Sequence, residues 1–281
     1  MNLGRVGAWT NAPLLLPPRE ARALVEEIDS LGYLALWFPE GAGEAFSNAA
    51  LMLAWSERLV VATGIANIWA RDPTAMARGA KILGAAYSAR FLLGIGVSHA
   101  PTIARRGHEY GKPVATMQAY LDAMERAEYQ GAEPEEPVPV VLAALGPRML
   151  ELAAARTEGA HPYFSPVEHT AFARERLGDG KLLAVELAVV LAADESEAHA
   201  AADPYLAYYL ALDNYRRNLA RFGIDETNAF DKVVAWGDEE AIAARVREHL
   251  DAGADHVCVQ PLPAQYAGQQ LRELAPALLE L

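Results

Sequence analysis

Two side chains able to move a proton stand where an apolar run gives way to a loop. His99 lies in RFLLGIGVSHAP (residues 90–101), and Glu40 follows the apolar run of YLALWFPEG (residues 33–41). Either group can serve as a general acid or base. An imidazole does so near neutral pH without large tuning, whereas a carboxyl must first be raised by burial. Gly94 and Gly96, beside His99, would let a flat ligand approach the backbone closely. His161 in GAHPYF (residues 159–164) suits a ligand contact, and Trp9 and Trp69 suit the walls of a substrate site. Each also has a plainer reading. Glu40 could be a solvated strand-end acid, His99 a loop cap and His161 a satisfied core histidine. Packing alone could account for the glycines and tryptophans. One further motif reading is weak and another fails. GIGVSHAP lacks the third glycine of a dinucleotide loop and does not run directly into a helix, and it is not the G-x-S-x-G nucleophile turn.

The elements that must hold these residues alternate regularly. Strands are expected at RVGAW, YLALWF, RLVVATGIANIW, RFLLGIGV, PVPVVLAAL, GAHPYF, KLLAVELAVVLA and ADHVCVQPL. Runs of Val, Ile and Leu without polar alternation mark strands buried on both faces of a parallel sheet. Helical periodicity separates them. Leu24, Val25, Ile28 and Leu31 share one helical face, and Asp72–Pro73 and Ser165–Pro166 are helix starts. A helical insert over residues 195–222 follows the seventh strand, with Tyr205, Tyr208, Tyr209, Leu212 and Tyr215 at helical spacing. Such a stripe reads as a buried or dimer face before a lid. Eight βα units predict an α/β fold, a (β/α)8 TIM barrel, with residues 1–281 forming one domain. In such barrels chemistry sits at the C-terminal strand ends. That rule gathers Trp9, Glu40, Gly64 to Asn67, Gly94 to His99, Ala144 to Pro147, His161 to Ser165 and Gln260.

The formal net charge of −13 argues against a nucleic-acid or anionic-membrane surface, so an anionic ligand needs a local site. No apolar run reaches the roughly 20 residues that span a bilayer. The first residues lack a signal-peptide pattern. Cys258 is the only cysteine, so no disulfide framework or cysteine-based zinc site is expected. A cytoplasmic location follows as the expectation. The seven histidines do not cluster at ligand spacing, which leaves a metal-dependent barrel hydrolase unsupported and no metal expected. Arg105, Arg106 and His108 form either a solvated charge cluster or a grip on a ligand's anionic tail.

Several segments in order carry a family resemblance: LGYLALWFPEGAGEAF, ERLVVATGIANIWARDPTAMA, RFLLGIGVSHAP, LAALGPRMLELA, GAHPYFSPVEHTAFARERLG and AGADHVCVQPL. Together they resemble the luciferase-like barrel oxidoreductases of the branch that uses coenzyme F420, a deazaflavin, over nearly the whole chain. The resemblance implies a non-prolyl cis peptide at Gly64–Ile65 backing the deazaflavin ring. It implies cofactor contacts at Glu40, Thr63, Gly64, Ile65, Gly94, Gly96, Val97, Ser98, His99 and His161. The turn Ala143, Ala144, Leu145, Gly146 and Pro147 resembles the family's phosphate-binding turn, where backbone N–H groups and a helix N-terminus suit an anion. Gly41 departs from the family, which usually has His after the acid of the second strand. With that His absent, His99 is the expected proton-transfer residue and Glu40 the residue that orients it or touches the ring. The family also implies a homodimer acting on a small molecule. No basic clamp for a sugar phosphate is found.

The leading expectation is hydride transfer between F420 and a small organic substrate. An FMN-dependent luciferase-like monooxygenase is the alternative within the superfamily. A non-catalytic F420-binding barrel is the alternative outside enzymes.

Overall fold

The computed structural model describes residues 1–41 and 43–281. Ten strands form one sheet: β1 (Val6–Trp9), β2 (Ala35–Phe38), β3 (Val60–Thr63), β4 (Ala66–Asn67), β5 (Phe91–Gly96), β6 (Val140–Leu142), β7 (Gly159–Ala160), β8 (Leu182–Leu191), β9 (Val234–Gly237) and β10 (His256–Pro261). Every pairing is parallel, and β10 pairs with both β1 and β8, which closes the sheet on itself. β4 continues β3 past Gly64–Ile65. β9 pairs only with Ala188–Leu191 of β8, beyond Leu182 and Leu183, where β7 pairs. Eight strand positions therefore make the barrel, as the sequence leads one to expect.

The local reasons are those read in the sequence. The strands are short apolar runs, almost wholly buried. Helix Pro18–Leu31 buries Leu24, Val25 and Ile28 and ends at Gly32, whose φ of 100° suits a residue without Cβ. Asp72 caps helix Pro73–Ala86 by accepting from the Ala75 N–H. Apolar side chains fall into two layers. One lies inside the barrel, with Trp9, Trp37, Ala62, Leu92, Ala188 and Cys258, and the other lies between the strands and the helices.

Several boundaries differ from expectation. The third strand is interrupted at Gly64–Ile65, whose peptide bond is cis as the family resemblance implies; Leu262–Pro263 is cis as well. The sixth strand keeps only Gly159–Ala160. The insert is two helices, Glu195–Leu210 and Asp213–Ala220, because Leu212 turns extended and caps the second. Strand β9 was not anticipated, since VVAW (residues 233–236) is too short an apolar run to tell from a helix end. Helix Val167–Leu177 begins one residue late, with Pro166 rather than Ser165 at its cap position, and the buried Ser165 hydroxyl has no partner. The stretch after His99 contains a short helix, Ala100–Arg105, with Pro101 in its first turn.

Candidate active site

The floor of the mouth is built by β1, β3, β7 and their neighbours. Gly64 has no room for a side chain: a Cβ there would lie 2.8 Å from Trp9 Nε1 and 2.9 Å from His161 Nε2. Those two atoms are buried and have no hydrogen-bond partner. His161 donates from Nδ1 to the Ala184 carbonyl at 2.9 Å, which leaves Nε2 as an acceptor. Trp9 Nε1–H is a donor, so a free donor and a free acceptor flank bare backbone. Buried polar atoms without partners are rare enough to mark a site for a ligand group or a water. His161 stacks on Trp37 with centroids 4.4 Å apart, and burial lowers its pKa to about 4, so the ring is neutral at pH 7. Trp37 Nε1 in turn donates to His256 at 3.0 Å.

Glu40 follows β2 by two residues and is buried. Arg71 donates to both of its carboxylate oxygens, with Nη1 3.1 Å from Oε2, and the Asn67 N–H donates to Oε2 at 2.6 Å. The same guanidinium reaches Glu44, the cap of helix Ala45–Trp55, at 3.0 Å. Glu40 is thus locked into a bidentate ion pair, a strong and directional arrangement. His99 lies elsewhere on the rim. It is half-buried, its Nδ1 is 3.2 Å from Asn214 Oδ1, and its ring is 5.4 Å from that of Tyr215. Burial lowers its pKa, and the bond to Asn214 opposes that shift. No hydrogen bond joins Glu40 to His99.

The remaining expected residues take clear positions. Thr63 hydroxyl donates to the Gly94 carbonyl at 2.7 Å and accepts from the Gly94 N–H at 2.9 Å, stitching β3 to β5. A Cβ on Gly94 would sit 2.0 Å from the Thr63 carbonyl oxygen, and one on Gly96 would sit 2.7 Å from the Ile65 side chain. Packing alone requires glycine at both. The Val97 carbonyl accepts from Trp69 Nε1 at 3.1 Å, and the Ser98 carbonyl accepts from the Tyr110 hydroxyl at 2.9 Å. Trp69 is half-buried, with His108 beside it. Trp9 is buried under Tyr163, ring centroids 5.3 Å apart.

After β6, Ala143 N–H donates to Ile95 and Ala144 is buried. The Leu145 carbonyl accepts from His169 Nε2 at 2.9 Å. Gly146 then caps helix Pro147–Arg156 with no side-chain cap, and the space where its Cβ would stand is open. An uncapped, open helix N-terminus of this kind attracts anions. Among the described residues no three His, Cys, Asp or Glu side chains gather at metal-binding spacing. No helix among them is long and apolar enough to cross a membrane.

A family model described as luciferase-like monooxygenase matches residues 1–256. The chain belongs to that family. Among luciferase-like relatives, an inferred coenzyme F420-dependent oxidoreductase of Mycobacterium tuberculosis is 25% identical, over 98% of both chains. An F420-dependent secondary alcohol dehydrogenase, solved with an F420–acetone adduct, superposes with a TM-score of 0.75 at 13% identity, covering 99% of each chain. The FMN-bound oxygenating component of 3,6-diketocamphane monooxygenase from Pseudomonas putida superposes at 0.68 with 15% identity, covering 98% of this chain and 99% of that one. These likenesses carry the luciferase-like barrel fold.

This luciferase-like barrel also places groups at its mouth that sequence reasoning passed over. Glu186, on β8, points inward with Ala184 and Ala188 and is buried. The tyrosine stripe of the insert closes over it: Tyr205, Tyr209 and Tyr215 pack against Tyr163 and Phe164. Tyr208 stays exposed. Tyr163 donates to Gln260 Oε1 at 2.7 Å. Glu186 had a visible signal, a lone acid in the apolar run LLAVELAVVL. Arg71 had none, because 31 residues separate it from Glu40.

Proposed function

We propose that the chain is a coenzyme F420-dependent oxidoreductase that moves a hydride between the deazaflavin and a small organic substrate. The observation that carries this reading is the full-length match, at 25% identity, to a relative named for that activity. The mouth fits the group. A flat heterocycle edged with carbonyl and N–H groups suits bare backbone at Gly64 flanked by an unpaired donor on Trp9 and an unpaired acceptor on His161. The open helix start at Gly146 suits an anionic arm on a chain whose net charge is −13. We assign Thr63, Gly64, Ile65, Val97, Ser98, His99 and the turn Ala143–Pro147 to the cofactor's surroundings. Bound there, F420 supplies the hydride chemistry, and the protein's part is to orient the substrate, exclude water and manage one proton. His99 is the rim residue placed to exchange that proton with solvent. Glu40, held by Arg71, fixes the β2 end next to the cofactor. Trp69 offers a wall for the substrate. We further propose that residues 1–281 act as one barrel domain, in a cytoplasmic homodimer that needs no nucleic acid or membrane partner.

The FMN-bound relative keeps an FMN-dependent monooxygenase as the second reading. Titration of the purified protein with F420, FMN and NADPH separates the two. F420 is expected to bind at micromolar Kd or tighter, about −8 kcal/mol or better, with FMN weaker. Tighter FMN binding in the same buffer would move the assignment to the monooxygenase. F420 binding without turnover on a panel of electrophiles would leave a non-catalytic cofactor-binding barrel.

A further inference from the structure

Glu186 sits in an unusual place for a carboxyl. It is on the inner face of the barrel and almost fully buried. Its Oε2 accepts from the Phe164 N–H at 2.9 Å, and the Tyr205 hydroxyl lies 3.2 Å from Oε1 and 3.4 Å from Oε2. The titratable groups facing it are Tyr163 from the segment after β7, Tyr205 and Tyr209 from helix Glu195–Leu210, Tyr215 from helix Asp213–Ala220, and Cys258 from β10. Among the described residues no Lys, Arg or His forms an ion pair with it. A buried carboxyl with donors on one side and no cation favours its neutral form. Tyr205 is half-buried, its ring packed against Tyr163, Phe164 and Tyr209 and its hydroxyl on Glu186.

We propose that Glu186 is the proton store of the reaction and that Tyr205 is the residue that hands the proton to an uncharged carbonyl substrate. The inference rests on the F420 reading. In the direction of reduction, the reduced deazaflavin would supply a hydride for the new C–H bond, ending two electrons more oxidised, and the carbonyl oxygen would be left as an alkoxide. The Tyr205 O–H bond breaks and the alkoxide takes that proton. The Glu186 carboxyl O–H bond breaks in turn and restores the Tyr205 phenol, and the resulting carboxylate regains a proton from solvent. Alcohol oxidation runs the same transfers backwards. The absence of a cation in the tyrosine cage fits this substrate class, because a substrate carrying a phosphate or carboxylate would meet no counter-charge there. Burial raises the Glu186 pKa to about 8, offset in part by its bonds from Phe164 and Tyr205, so the acid is loaded at neutral pH.

The wild type, Glu186→Gln and Tyr205→Phe test the proposal with two readouts. Infrared difference spectra of the cofactor-free protein come first. A protonated carboxyl band is expected near pH 6 and lost near pH 10, a span chosen to bracket the Glu186 titration. The band should be missing from Glu186→Gln and kept in Tyr205→Phe. Steady-state kinetics with F420 and a panel of ketones and aldehydes follow. Gln can still accept from Phe164 N–H but carries no titrating proton. Its kcat should fall by about 10²-fold, with KM and F420 affinity within a few-fold. The alkaline fall in wild-type reduction rate should vanish with it. Tyr205→Phe should lose rate to a similar extent. Absence of the band in wild type, or a Glu186→Gln enzyme with native kcat and an unchanged pH profile, overturns the role of Glu186. Absence of F420 binding to wild type overturns the F420 reading instead, together with the reaction assigned to the pair.

Discussion

At the scale of single residues, the barrel mouth holds two buried acids with opposite settings. Glu40 faces a guanidinium and the Asn67 N–H, while Glu186 faces the Phe164 N–H and the Tyr205 phenol. Their chemistry follows from those partners: the first is a charged anchor, the second a proton carrier. The Arg71–Glu40 pair has side-chain exposures of only 10% and 5%, so the surviving carboxylate cannot be rescued by water when the cation is removed. Arg71→Met is therefore expected to cost about 3–5 kcal/mol of unfolding free energy, the range for breaking a buried ion pair. Pairing it with Glu40→Gln should recover much of that loss. Urea unfolding of the two variants against wild type measures both numbers, and equal losses in single and double variant would show that the pair is not the anchor.

At the scale of elements, the seam between β3 and β5 explains why a site reading of glycines needs coordinates. Gly94 lets the Thr63 carbonyl and hydroxyl come within reach of the neighbouring strand, and a methyl group would overlap that carbonyl at 2.0 Å. Neither strand can yield without opening the barrel. Gly94→Ala is expected to destabilise the fold by about 1–3 kcal/mol or more. Gly146→Ala meets open space at an ordinary backbone conformation and should leave stability within about 0.5 kcal/mol. Thermal and denaturant unfolding of both variants checks the contrast. Equal effects would mean that strand packing does not set the requirement at Gly94. The insert shows the same dependence on context. Tyr205 and Tyr209 reach Phe164 from the first helix, and Tyr215 reaches it from the second, because Leu212 breaks the helix between them.

At the scale of the whole molecule, buried ionisable groups set the response to pH. Burial lowers His161, His169 and His256 to about 4 and His249 to about 3. The unfolded chain binds protons on these rings below about pH 6.5 while the folded chain does not. Their contribution is complete above that pH and is lost as pH falls, by up to about 1.4 kcal/mol per pH unit for each ring. Glu186 acts with the opposite sign. The folded state keeps its proton up to about pH 8, whereas the unfolded carboxyl releases it near its ordinary value of 4.5. Stability from that group is therefore lost as pH rises across the interval. These five groups together place the stability maximum at about pH 7, with a decline on the alkaline side that Glu186→Gln reduces. Denaturant midpoints from pH 5 to pH 9, a roughly neutral window around these titrations, measure it. A wild-type curve with no fall above about pH 7 would show that Glu186 is ionised in the folded state.

The barrel and most of its order of strands and helices were legible in the sequence, because they depend on local periodicity and on helix start and stop residues. Apolar runs such as RFLLGIGV declare a strand buried on both faces wherever it lies, and the loop that follows must then reach the mouth. The lone acid in LLAVELAVVL was visible too, but not its meaning, since nothing in the run tells whether Glu186 meets a cation or a cage of phenols. Those partners come from Phe164 and Tyr205, 22 and 19 residues away, and Glu40 finds Arg71 at a distance of 31. Only closure of the barrel and folding of the insert across its mouth bring them together. Charge state, hydrogen bonding and burial are properties of that assembled neighbourhood, and so the tertiary structure alone decided which acid is held as an anion and which can carry a proton.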